Sequence, residues 1–213
     1  MKLPRRRPLF VILLAVALLA GAGGYSLARR PQVQTQPPAV KHVVKHTTDH
    51  PSEAPIAKAA YVSTAGPAEP KYINLPTIGT QGFIEKMGID QHNQVAAPGN
   101  VNLAGWYVNS ALPGQPGLSI IDGHVDGLSS PGIFKNLGKL KPGDQFTVQQ
   151  GNNTTHTYSV RSVTSVSDGQ AVEALFSQDP SVPSELNLIT CGGAFNRATK
   201  EYEQRVVVAA ALL

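Results

Sequence analysis

The sequence holds a single cysteine in 213 residues, one tryptophan and two methionines, with aromatic residues at 6% and charged residues at 15%. One cysteine excludes an intramolecular disulfide, so an exported domain built from this chain depends on a packed core rather than on cross-links. Charge of one sign is also scarce once its location is considered. The net charge is +4, but Lys2, Arg5, Arg6, Arg7, Arg29 and Arg30 supply the excess, and without them 12 basic side chains face 14 acidic ones. A nucleic-acid footprint has little left to rest on. No P-loop, Rossmann fingerprint or internal repeat is present. The length leaves room for one ordinary domain after terminal segments are set aside, with enough Leu, Ile and Val throughout to build its core.

The two basic clusters flank an apolar stretch, Leu9 to Ala28, broken only by small residues, Tyr25 and Ser26. About 20 residues at 1.5 Å rise cross a hydrocarbon core of roughly 30 Å. More Lys and Arg precede the stretch than follow it, which puts residues 1–8 in the cytoplasm and the rest outside. The expectation is a basic tail (1–8), a transmembrane signal anchor (9–28) and an extracellular domain held at the membrane. A cleaved signal peptide with Ala20-Gly21-Ala22 as its small-residue site is the competing reading. Both export the bulk of the chain.

Residues 29–70 carry Pro31, Pro37, Pro38, Pro51, Pro55, Pro67 and Pro70 without apolar periodicity, and read as a flexible, disordered linker. His42, His46 and His50 would share a helix face there, but a solvated tail explains them more simply. From 71 to 213 the texture changes. β-prone runs at Tyr72–Leu75, Gly82–Ile84, Leu118–Ile121, Gln145–Gln149, Thr155–Val163, Leu186–Thr190 and Arg205–Leu212 alternate with Gly/Pro/Asn turns. That pattern predicts an all-β barrel or sandwich, with a hairpin across Gly151-Asn152-Asn153. Two short helices are expected: one through Ile133, Phe134, Leu137 and Leu140, the other capped by Ser167 or Asp168 and carrying Ala171, Val172, Ala174, Leu175 and Phe176.

A lone cysteine is by default an inert core residue. Cys191 ends the run Leu186-Asn187-Leu188-Ile189-Thr190 and opens onto Gly192-Gly193, where a side chain is rigidly held yet reachable and glycines let backbone and substrate approach. A cysteine nucleophile needs a base or a cation, because a free thiol titrates near 8.5. His124, in Ile120-Ile121-Asp122-Gly123-His124-Val125-Asp126, follows an apolar strand and is the best candidate; His92 and His156 stand in polar, turn-like contexts. A structural histidine is the default for His124, and Asp122, His124 and Asp126 alternate on one face in a way that also admits a metal. Arg205 opens the last apolar strand and offers a fixed charge for a developing oxyanion.

Leu188-Ile189-Thr190-Cys191 resembles the Leu-x-Thr-Cys signature of sortases, Gly123-His124 matches that family's histidine segment, and the order His, Cys, Arg is the family's as well. The resemblance runs from about Tyr72 to Leu213. Gly105-Trp106-Tyr107, Pro113-Gly114-Gln115-Pro116-Gly117, Gly132-Ile133-Phe134-Lys135-Asn136-Leu137, Lys141-Pro142-Gly143-Asp144 and Thr190-Cys191-Gly192-Gly193 make it most similar to class F sortases. It implies an eight-stranded sortase-type β-barrel with short helices. Cys191 would be the nucleophile, His124 the general acid/base and Arg205 the oxyanion and substrate stabiliser, with Thr190 contributing to substrate binding.

The implied reaction cleaves a Leu-Pro-x-Thr-Gly-like signal between Thr and Gly through a thioacyl intermediate. An amine then resolves it, from a peptidoglycan precursor or a pilin lysine. Partners are therefore secreted proteins with C-terminal sorting signals, and neither cofactor nor metal is implied. Many class F relatives carry asparagine near the position of Arg205, so Arg197 is kept as an alternative arginine.

Three rivals remain. L,D-transpeptidases keep histidine and cysteine close together, whereas 66 residues separate His124 from Cys191 here. Papain-like peptidases place cysteine before histidine. A non-enzymatic wall-facing adhesion or structural module would carry Cys191 as an incidental thiol.

Overall fold

Pro76 starts a 3-10 turn (Pro76–Ile78), and Gly79 closes it at φ 64°, a left-handed conformation that costs a residue with a Cβ about 1 kcal/mol. This corner folds β1 (Pro70–Leu75) against β2 (Thr80–Met87). The computed structural model describes residues 51–89 and 93–213. After β2 come β3 (Ala104–Tyr107), β4 (Gly117–Gly123), β5 (Gln145–Gln150), β6 (Thr155–Ser167), the helix α1 (Ala171–Phe176), β7 (Ser184–Asn196) and β8 (Glu201–Leu212). The strands close into a barrel in the order β1-β2-β3-β4-β7-β8-β6-β5. β2–β3 and β4–β7 are parallel pairs, and the other six are antiparallel.

The all-β barrel is the architecture expected from the alternating strands and turns. Its interior is filled by Ile73, Ile84, Trp106, Ile121, Phe146, Tyr158, Leu186, Leu188 and Val208 among others. A second apolar cluster covers the outer side of the same sheet: Val95, Tyr107, Ile120, Ala171, Leu175, Ile189 and Val207. β7 is thus covered on both faces from Ser184 to Cys191, which is why that segment reads as a nearly continuous apolar run. The even-numbered residues of β7 point into the barrel, and Ile189 points outward beneath α1 and Val95.

Several expectations change. β3 was not among the expected strands; four residues with a glycine give too short a pattern to register. The helix expected through Ile133 to Leu140 does not form beyond a 3-10 turn at Leu137–Lys139. Ile133 N–H donates to Val101 and Phe134 N–H to His124, and these cross-links hold the segment in a conformation that a continuous helix would break. The second helix is present as α1, preceded by a 3-10 turn at Asp168–Gln170, but neither Ser167 nor Asp168 caps it. Ser167 Oγ donates to Gln170 Oε1, and Asp168 pairs with Arg205.

Residues 51–69, expected as part of the linker, are tied to the barrel. Ser52 bridges to Asn100, and the Glu53 carboxylate accepts bonds from the Leu128 and Ser129 amides and the Ser129 and Ser130 hydroxyls. Tyr61 stacks on Phe83 with ring centroids 4.2 Å apart. Polar and aromatic groups dock this arm with no apolar period to announce it. The basic tail, the apolar run 9–28, the His42/His46/His50 series, the linker up to residue 50 and His92 lie outside the described residues. Among the described residues no helix is long and apolar enough to cross a membrane.

Candidate active site

Register brings the candidate residues together. In the antiparallel β7–β8 pair Cys191 stands directly opposite Arg205, so their side chains share a face. In the parallel β4–β7 pair Asp122 stands beside Ile189. Carrying that register two residues further sets His124 beside Cys191. Carried on in this way, the register aligns His124, just past the end of β4, with Cys191 on β7 and Arg205 on β8, on the outer face of the barrel at one rim. Thr190 Oγ1 donates to the Gly123 carbonyl at 2.7 Å and ties the end of β4 to β7, which fixes His124 against Cys191.

Cys191 was expected at the end of its strand. β7 instead continues to Asn196, but its character changes at the cysteine: residues up to Cys191 are buried and those after Gly193 are exposed. The change coincides with a register shift between Gly192 and Phe195 and with Gly193 at φ 73°. The glycines are required by contact, since a Cβ at Gly192 would lie 2.9 Å from the Val206 side chain. β8 likewise begins at Glu201, so Arg205 sits inside the strand instead of opening it.

His124 is 1% exposed, and its Nε2 lies 2.6 Å from the Pro98 carbonyl. A carbonyl only accepts, so Nε2 carries the hydrogen and Nδ1 the lone pair. Pro98 thus selects the tautomer in which Nδ1 can take a proton. Burial pushes the imidazole below its ordinary range, opposed by the Pro98 bond. Cys191 is 3% exposed, and burial pushes its thiol up to about 11, with Arg205 pulling it down and Asp122 and Asp168 pushing it up. At neutral pH the pair rests as thiol and neutral imidazole.

Arg205 is buried and held from several sides. Nη1 donates to the carbonyls of Tyr202 and Gln204 at 2.9 and 3.0 Å, and Nη2 lies 2.8 Å from Asp168 Oδ1. Arg197 is exposed in the turn joining β7 to β8, just past Asn196 at the far end of the overhang, about 20 Å along the chain from Cys191 at the rise of an extended strand.

The structure therefore brings Cys191, His124 and Arg205 together and leaves Arg197 apart. Thr190 is 5% exposed and spends its hydroxyl on Gly123. Asp126 does not stay with Asp122 and His124: its carboxylate takes Lys135 Nζ at 2.7 Å and the Tyr202 hydroxyl at 3.1 Å. Among the described residues no three His, Cys, Asp or Glu side chains gather as a metal site. A cavity of about 280 Å³ opens beside Cys191, lined by Thr190, Gly192, Tyr202, Lys135 and Asp126. A larger groove of about 940 Å³ over β6 and β8 contains none of Cys191, His124 and Arg205. Sequence reasoning missed Pro98, which looked like an ordinary turn residue, and Asp168, which looked like a helix cap.

A thiol, an imidazole and a guanidinium held at one rim of a closed barrel can supply the nucleophile, the base and the oxyanion partner of thiol-based acyl transfer. The sortase-domain family model matches residues 73–213, and the chain belongs to the sortase family of cysteine transpeptidases. Among solved structures it is similar to sortase A from Corynebacterium diphtheriae (lid mutant), at 26% identity over 69% of this chain and 70% of that one, with a TM-score of 0.52. Sortase C1 of Streptococcus agalactiae in complex with MTSET has 19% identity over 68% and 70%, with a TM-score of 0.51. A Clostridium perfringens sortase D5 transpeptidase has 22% identity over 68% and 79%, with a TM-score of 0.50. The last two likenesses speak for the fold alone. No curated protein sequence matches the chain.

Proposed function

We propose that this sortase cleaves a Leu-Pro-x-Thr-Gly-like sorting signal between Thr and Gly and transfers the protein to an amine, with Cys191, His124 and Arg205 as its working groups. The pairing of Cys191 on β7 with Arg205 on β8, with His124 directly following the neighbouring strand β4, carries the reading. Cys191 gives its proton to His124 Nδ1 and its sulfur attacks the threonine carbonyl. Arg205 stabilises the oxyanion. The C–N bond breaks as His124 protonates the departing glycine amine, leaving a thioester. An acceptor amine then attacks that thioester, its proton returns by way of His124, and the thiol is restored.

The acceptor is a peptidoglycan-precursor amine or a pilin lysine, and the substrates are secreted proteins with C-terminal sorting signals. The motifs of the rim and the loops favour class F. The apolar run 9–28 favours a single-pass anchor with the catalytic domain outside the cell.

The test is direct. The purified full chain in mild detergent is incubated with a quenched Leu-Pro-x-Thr-Gly peptide and an amine, and the Cys191 thioacyl adduct is sought by mass spectrometry. Cys191→Ala, His124→Ala and Arg205→Ala are expected to lose nearly all activity, and Arg197→Ala to keep much of it. Absence of both adduct and cleavage across a panel of sorting peptides would overturn the reading. Full activity in Arg205→Ala would move the oxyanion role to Arg197.

A further inference from the structure

Asp122 is a buried carboxyl that the proposed reaction does not use. It is 1% exposed, and no other residue gives either oxygen a hydrogen bond, its own backbone N–H being the one donor turned toward the carboxyl. Its neighbours explain why. Gly105 stands opposite it on β3 and Ile189 beside it on β7, and neither brings a side-chain donor. The fit is close: a Cβ at Gly105 would lie 2.5 Å from Asp122 Oδ1. An ionised carboxylate with no partner beyond its own backbone is costly in such a place, so the group keeps its proton. Burial accordingly pushes it well above the ordinary carboxylate range, opposed by the bond from its own backbone N–H.

Its position gives that proton a consequence. Asp122 shares a strand face with His124, two residues on, and lies one rung back from Cys191. We propose that Asp122 governs when Cys191 can ionise: protonated, it leaves the thiol to His124, and ionised, it sets a second negative charge near the sulfur. Asp122 acts through Cys191 and is a positioning residue, not a catalytic one. The other charged or titratable groups around it are few. Glu85 stands on the same rung beyond Gly105, His124 is on its own strand, Cys191 is on β7, and the Arg205–Asp168 pair lies past Cys191. Residues 93–98 contribute no titratable side chain.

The test uses the single cysteine and needs no sorting signal, so it can fail while the sortase reading stands, and the reverse. The full chain and its Asp122→Asn variant are alkylated with iodoacetamide across pH 6 to 10, and adducts are counted by mass. The variant is expected to react at the same rate at pH 6 and at least about threefold faster at pH 9. A ratio that stays constant with pH overturns the proposal.

Denaturant midpoints give a second reading that does not depend on access to the thiol. A buried acid that holds its proton destabilises the fold increasingly as pH rises above the unfolded value near 4. The advantage of Asp122→Asn should therefore grow between pH 4 and 7. A flat difference means Asp122 is already ionised in the folded protein and the proposal is wrong. If the variant does not fold, alkylation of His124→Gln, which removes the other titrating neighbour of the thiol, decides: two stages with pH support the proposal, and a single-proton curve overturns it.

Discussion

Cys191 rests as a thiol because the burial that fixes it also opposes its charge. Drawing a proton from a group at about 11 at neutral pH costs roughly 5 kcal/mol. An enzyme turning over about ten times per second faces a barrier of about 16 kcal/mol, so that cost fits within catalysis. Arg205 matters for the same reason, as the cation that pulls the thiol down. Its fork is held by two carbonyls and Asp168, a geometry that lysine cannot reproduce. Arg205→Lys is expected to lower kcat/KM about a hundredfold, and Arg197→Lys to leave it within about twofold, measured on the same quenched peptide.

At the scale of elements, the segment after His124 is as important as the strands. A methyl group at Gly132 would overlap the His124 carbonyl, which itself accepts the Phe134 amide. Gly132→Ala is expected to displace His124 and lower kcat at least tenfold while KM changes little, as steady-state kinetics would show. The strands were legible in the sequence because their β-prone runs are bounded by Gly, Pro and Asn. β3 was not, being four residues long. The Ile133–Leu140 helix was misread because apolar spacing is blind to the backbone bonds that Val101 and His124 make with that segment. Cys191, His124 and Arg205 were singled out by motif and order as the proposed site, but their alignment depends on strand register, which no local pattern encodes. Pro98 and Asp168 reach the site only through the fold.

For the molecule as a whole, the arm at residues 51–69 ties loops on both sides of His124 together, from Asn100 to Ser130. Glu53 is held at about 2 by hydrogen bonds from Ser129 first, then Ser130 and Leu128. Its folded value lies below the unfolded one, so its contribution is present above about 4.5 and is lost as pH falls through about 2. Protection of the Leu128 and Ser129 amides, taken relative to their intrinsic exchange at each pH, should fall over that window in the unaltered chain, and Glu53→Gln should show the lower protection already at pH 6.

The parallel pairing of β4 with β7 also dictates when catalysis can begin. The two strands are separated by much of the domain, with β5, β6 and α1 between them, and such distant pairings are made late because a long loop must first be closed. Until then the thiol has no imidazole beside it. A chain still unfolded would therefore carry an ordinary thiol titrating near 8.5, able to react as any free cysteine does, and would gain the aligned groups that transpeptidation needs only when the barrel shuts.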